Sequence, residues 1–88
     1  MNNKLKIFCA IQPFDFMQTI YTVREDGAPT KIGKVNLDNL PSELLNCCLH
    51  YDTDTILLTG EHNFVNNYAL KLRANTTYST NNIKVEVI

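Results

Sequence analysis

The 88-residue sequence has no excess of either charge. Eight lysines and arginines stand against nine acids, the net charge is −1, and no block of like charge occurs. A basic footprint is therefore missing at the level of composition, which disfavours nucleic acid as a partner while leaving room for a local patch. Cysteine is scarce and odd in number. Cys9, Cys47 and Cys48 form no Cys-x-x-Cys pair and lie at no ligand spacing from a histidine. This argues against a disulfide framework and offers no metal site. The three thiols read as reduced, small, buried side chains in a reducing compartment. Long apolar runs are lacking too. The run between Lys6 and Gln12 is only five residues, too short for the core of a signal peptide and far short of a membrane span. The expectation is a cytoplasmic protein with no membrane contact. Phosphate-binding glycine loops, dinucleotide fingerprints and nucleophile elbows are absent as well, so no cofactor is expected.

What is present is organised around Thr55 to Asn75. Ile56-Leu57-Leu58 is a short apolar run closed by Thr59-Gly60, after which the period becomes helical. Phe64, Tyr68 and Leu72 recur at i, i+4 and i+8 with Val65 and Ala69 beside them, whereas Asn66, Asn67, Lys71 and Arg73 fall on the solvated side. This predicts a buried strand, a glycine turn and an amphipathic helix.

Ahead of that unit, Lys4 to Gln12 reads as a strand apolar on both faces, which suits a central position. Pro13-Phe14-Asp15 breaks it. A second strand, about Met17 to Arg24, is rich in Thr, Tyr, Ile and Val. An Asp26-Gly27 turn leads to a short third strand, Thr30 to Val35, which Gly33 marks as lying near an edge. A first helix opens at Leu37–Glu43, with Asp38 or Asn39 as cap and Pro41 in its first turn. Leu40, Leu44, Cys47, Cys48 and Tyr51 form its apolar stripe, and Asp52-Thr53-Asp54 stops it. Ala74 to Asn82 reads as a polar loop, and Ile83 to Ile88 alternates as a final strand. Residues 1–88 are thus expected to form a single α/β domain, β-β-β-α-β-α-β. Right-handed crossovers give a mixed five-stranded sheet of order 3-2-1-4-5 with both helices on one face.

That order, together with the strand–Thr-Gly–helix unit ILLTGEHNFVNNYALKL, resembles the core of the ribonuclease-H-like superfamily. The superfamily includes nucleases, integrases and actin-like or sugar-kinase-like ATPases. Its nucleases resemble one another in placing an acid inside the first strand to help hold two divalent metals. Here that strand is Leu5-Lys6-Ile7-Phe8-Cys9-Ala10-Ile11-Gln12, without an acid, and Asp15 comes only in the turn. The ATPases bind phosphate through a Gly-rich hairpin in each of two lobes; Pro13-Phe14-Asp15-Phe16 is not such a hairpin and a second lobe is absent. The resemblance implies the fold and a catalytically degenerate version of it. The chain is also similar to small proteins of low-GC bacterial phages and prophages, a source that its asparagine, lysine, isoleucine and tyrosine content suggests independently.

Candidate sites follow from the topology. Gly60, Glu61 and His62 come at the carboxyl end of a parallel strand and before a helix N-terminus, where open sheets place ligands. His62 is a candidate acid or base with Asp15 as partner, against the plainer reading of loop and cap chemistry. Asp52 and Asp54 read as a helix stop rather than a metal site. Phe14 and Phe16 either close over the end of the sheet or project as an anchor for a partner. The sheet face opposite the helices should carry Phe8, Leu57, Thr59 and Tyr21, a further candidate partner surface. The leading expectation is a non-enzymatic protein-binding module, with a protein partner or a homodimer, serving as an accessory or anti-host factor of a mobile element. The alternatives are a degenerate nucleic-acid or nucleotide binder, and a small hydrolase using His62 and Asp15.

Overall fold

Period-two alternation builds the first half of the chain. The structure, a computed structural model describing residues 5–88, has β1 (Lys6–Ile11), β2 (Met17–Val23) and β3 (Thr30–Asn36) as an antiparallel meander. Ile7, Cys9 and Ile11 are buried, while Lys6, Phe8 and Ala10 are half-buried on the other face. The strand expected from Lys4 starts at Lys6, and Lys4 itself lies outside the described residues. β3 is an edge strand, and its register against β2 slips at Ile20/Tyr21. The slip turns Ile32 inward to pack on the core while Lys31 stays exposed.

The second half supplies the layer that covers this sheet. A 3-10 turn (Leu37–Asn39) leads into α1 (Leu40–His50), β4 (Thr55–Gly60), α2 (His62–Ala74), α3 (Thr76–Thr80) and β5 (Lys84–Val87). The sheet order is β3-β2-β1-β4-β5, with β4 parallel to both β1 and β5. Leu40, Leu44 and Cys48 of α1 and Val65, Ala69 and Leu72 of α2 share one core with Ile7, Cys9, Ile11, Ile20, Ile56, Leu58 and Val85. Both long helices therefore lie on one face of a mixed sheet.

Local chemistry sets the helix ends. Asn39, one of the two expected caps, occupies the N-cap of α1 without a side-chain cap bond. Asn36 caps the 3-10 turn ahead of it, accepting from the Asn39 amide at 2.9 Å. α1 ends in a left-handed residue, Asp52 (φ 54°), with the Thr53 amide returning to the Cys48 carbonyl at 2.9 Å. Thr53 Oγ1 then donates to the Leu5 carbonyl at 2.6 Å, tying the helix exit to the start of the first strand. α2 sits rotated by about one position from the expected face. Val65, Ala69 and Leu72 are buried, whereas Phe64 and Tyr68 are half-buried and stack on each other at 6.2 Å. Small Ala69 lets the helix approach the sheet closely, which leaves the two large rings at the flank.

The expected loop from Ala74 to Asn82 is instead helical over α3. Asn75 caps it, accepting from the Thr77 amide at 2.9 Å. Asn82 (φ 55°) ends it, and the Ile83 amide closes on the Tyr78 carbonyl at 3.0 Å. The turn is too short to show a helical period. What holds it is tertiary: Tyr78 is buried and its hydroxyl donates to the Pro41 carbonyl. β5 is shorter than expected. Arg73, in the last turn of α2, donates from Nε and Nη2 to the Val85 carbonyl at 2.9 and 2.7 Å, occupying part of the exposed sheet edge.

Candidate functional site

The carboxyl ends of β1 and β4 meet where Ile11 pairs with Gly60. Gly60 has φ 151°, and a Cβ there would come within 2.6 Å of the Ile11 carbonyl oxygen. Only glycine lets the chain turn this close to β1 and start α2 at once. Glu61 then acts as the helix cap, its Oε1 accepting from the Phe64 amide at 2.7 Å. His62 opens α2 and is exposed. Its Nδ1 lies 3.2 Å from Asn66 Nδ2, which also donates to the His62 carbonyl at 2.8 Å.

Asp15 is exposed in the turn after β1, held by backbone bonds, its amide donating to Gln12 at 3.1 Å. Topology thus brings Gly60, Glu61, His62 and Asp15 to one end of the sheet. No hydrogen bond or ion pair joins Asp15 to His62 among the described residues. The carboxylate of Glu61 is occupied as a cap, so the geometry assembles no acid–base pair here.

Sequence reasoning missed the residue that shapes this end. Gln18 is buried, yet fully engaged. Its Oε1 accepts from the Gln12 amide at 2.8 Å, and its Nε2 donates to the carbonyls of Gln12 (2.8 Å) and Asp15 (2.6 Å). A polar side chain on the inward face of β2 between apolar positions was the available signal, since a buried amide must find partners. By clamping residues 12–15 it holds the turn outward. Phe14 is 97% exposed, Phe16 64% and Met17 47%. The alternative that Phe14 and Phe16 close over the sheet is therefore overturned: both rings stand largely in solvent, next to backbone that Gln18 holds.

The remaining chemistry is quiet. Burial pushes the thiols of Cys9 and Cys48 up to about 12, and burial together with Glu43 raises Cys47, so none is poised as a thiolate. Asp54 accepts from Thr55 Oγ1 at 2.9 Å. Among the described residues no group of three or more His, Cys, Asp or Glu could hold a metal ion, and no helix is long and apolar enough to cross a membrane. On the face away from the helices, Phe8 and Tyr21 meet at 5.9 Å with rings tilted by 52°. Leu57 and Thr59 lie beside β1 on the same face and are half-buried.

The fold and these surfaces define a small mixed α/β domain with an apolar projecting turn and a one-sided sheet. No family model, curated protein or solved structure matches the chain.

Proposed function

We propose that the chain is a non-catalytic module that works by binding another protein, through the turn Phe14–Met17. The carrying observation is the 97% exposure of Phe14. A phenylalanine left in water forgoes about 1.5–3 kcal/mol that burial would return. Phe14 and Phe16 in the turn, with Met17 at the start of β2 just after it, make an apolar anchor of the kind that fills a partner's pocket. The Gln18 clamp supports this reading, because a pre-held turn loses little freedom on docking. The unjoined positions of Asp15 and His62 support the non-catalytic part. The sheet order supports the likeness to a degenerate ribonuclease-H-like core, and an accessory role in a mobile element is the setting that fits such a module.

A photo-crosslinking residue at position 14, expressed in the native host, tests the proposal. One protein should crosslink and co-purify with the wild type, and Phe14→Ser with Phe16→Ser should lose it without changing thermal unfolding. If the double variant retains the same partner at the same yield, the turn is not the binding surface. Turnover of a nucleotide or nucleic acid that His62→Ala abolishes would overturn the non-catalytic reading.

A further inference from the structure

The helix-free face of the sheet concentrates charge of one sign that is dispersed along the sequence. The register places three rows of side chains on it. The middle row crosses all five strands as Lys31, Tyr21, Phe8, Leu57 and Glu86. On one side lies a row with Lys6, paired to Val23, and Lys84, paired to Thr55. On the other lies Lys34, paired to Thr19, which continues to Ala10 and Thr59. Four lysines and one glutamate leave this face with an excess of three positive charges, on a chain whose net charge is −1. None of the four lysines makes an ion pair among the described residues. At the centre sit two aromatic rings on neighbouring strands, in contact and half-buried.

We propose that this face binds single-stranded nucleic acid, with bases stacking on Phe8 and Tyr21 and the phosphate backbone lying along the lysines. The reading goes beyond the protein-binding turn and uses none of its residues. Strands spaced about 4.8 Å apart make the middle row roughly 20 Å long, enough for several nucleotides. Aromatic platforms take unstacked bases of any sequence, and a basic surround supplies the backbone attraction. A duplex keeps its bases paired and stacked and gives the rings nothing to hold. A second copy of the chain fits less well, because each copy would bring the same excess of positive charge to the shared interface. A protein partner would have to supply acidic groups opposite each lysine, whereas a phosphate backbone carries that charge along its whole length. Lysines also guard sheet edges against further pairing. That role accounts for Lys31 and Lys34 on β3 and Lys84 on β5, the two edge strands, but not for Lys6 on the central strand.

Fluorescence anisotropy with a labelled oligothymidylate of about 12 nucleotides, on the full chain, reads the proposal. Wild type should bind at about 50 mM salt, prefer the single strand to the matching duplex, and weaken toward 200 mM with a log–log slope near −3 if all four lysines contact phosphate. Lys31→Glu with Lys34→Glu lies on an exposed edge and should fold normally while losing at least tenfold in affinity. Phe8→Leu with Tyr21→Leu keeps apolar side chains on the face and should lose about tenfold with the salt slope retained. Phe14→Ser with Phe16→Ser should bind the oligonucleotide as wild type does, which separates this face from the turn. Absence of binding at low salt, equal affinity for duplex, or affinity unchanged in Lys31→Glu/Lys34→Glu would overturn the proposal. So would sedimentation showing a dimer that Phe8→Asp dissolves, since that face would then be covered by a second copy.

Discussion

The two faces of the sheet are built from alternate residues of the same strands, yet they differ in almost every physical respect. Beneath the helices, Ile7, Cys9, Ile11, Ile56 and Leu58 are buried in one core with both long helices. One residue along, Lys6, Phe8, Ala10, Leu57 and Thr59 are only half-buried and meet no helix. The covered face carries the stability of the domain, and the open one has side chains free for contacts. A strand can do both because neighbouring side chains point to opposite sides.

Adjacent leucines on β4 give the strongest test of that division. Leu58→Ala removes a buried side chain beneath the helices and should cost about 2–5 kcal/mol, whereas Leu57→Ala on the open face should cost under about 1.5 kcal/mol. Urea unfolding of both variants measures the gap, and equal losses would mean that the open face is covered in solution.

The pH dependence of stability sharpens the same contrast. Cys9 and Cys48 lie under the helices, with thiols moved from an ordinary 9.0 up to about 12 by burial. The folded chain keeps these protons above pH 9 while the unfolded chain releases them. Stability should therefore be insensitive to these groups below pH 9 and fall between pH 9 and 12, by up to about 1.4 kcal/mol per pH unit for each thiol. Tyr68 and Tyr78, whose phenols burial also raises, push in the same direction at the alkaline end. Cys9→Ala with Cys48→Ala should flatten the slope between pH 9 and 10, as read from denaturant midpoints; an unchanged slope would place the thiols in water.

The smallest expected effect lies at a flaw in the covered layer. The Tyr68 hydroxyl is buried and finds no hydrogen-bond partner among the described residues. Tyr68→Phe keeps the ring and its stacking on Phe64 while removing an unsatisfied group, so it should be neutral or stabilise by about 1 kcal/mol. A loss of more than that in thermal unfolding would show that the hydroxyl is bonded.

Much of the fold was legible because it rests on short-range pattern. Alternation along β1 and β2, the Asp26-Gly27 turn, Pro41 at the start of α1 and the Thr59-Gly60 junction each carry their structural instruction locally. With right-handed crossovers these set the strand order. The candidate site was legible only in part. Gly60, Glu61 and His62 were locatable from strand–turn–helix order. Whether Asp15 would meet His62 depends on how two turns are aimed, which no local pattern encodes. Phe14 and Phe16 left two readings open because the aromatic pair looks the same in sequence whether it folds back or projects. The buried Gln18 decided between them.

By itself, then, the sequence determined the element types, the inward and outward faces of the strands, the crossover geometry and the lack of a ready catalytic or metal motif. Each of these follows from residue type and spacing over a few positions. The tertiary structure decided the one-position rotation of α2, the helical turn held by Tyr78 on Pro41, the projection of Phe14, and the gathering of Lys6, Lys31, Lys34 and Lys84 on one face. Each of those depends on residues distant in the chain competing for the same space or sharing the same side of a sheet, and a net charge or a local period cannot report that sum.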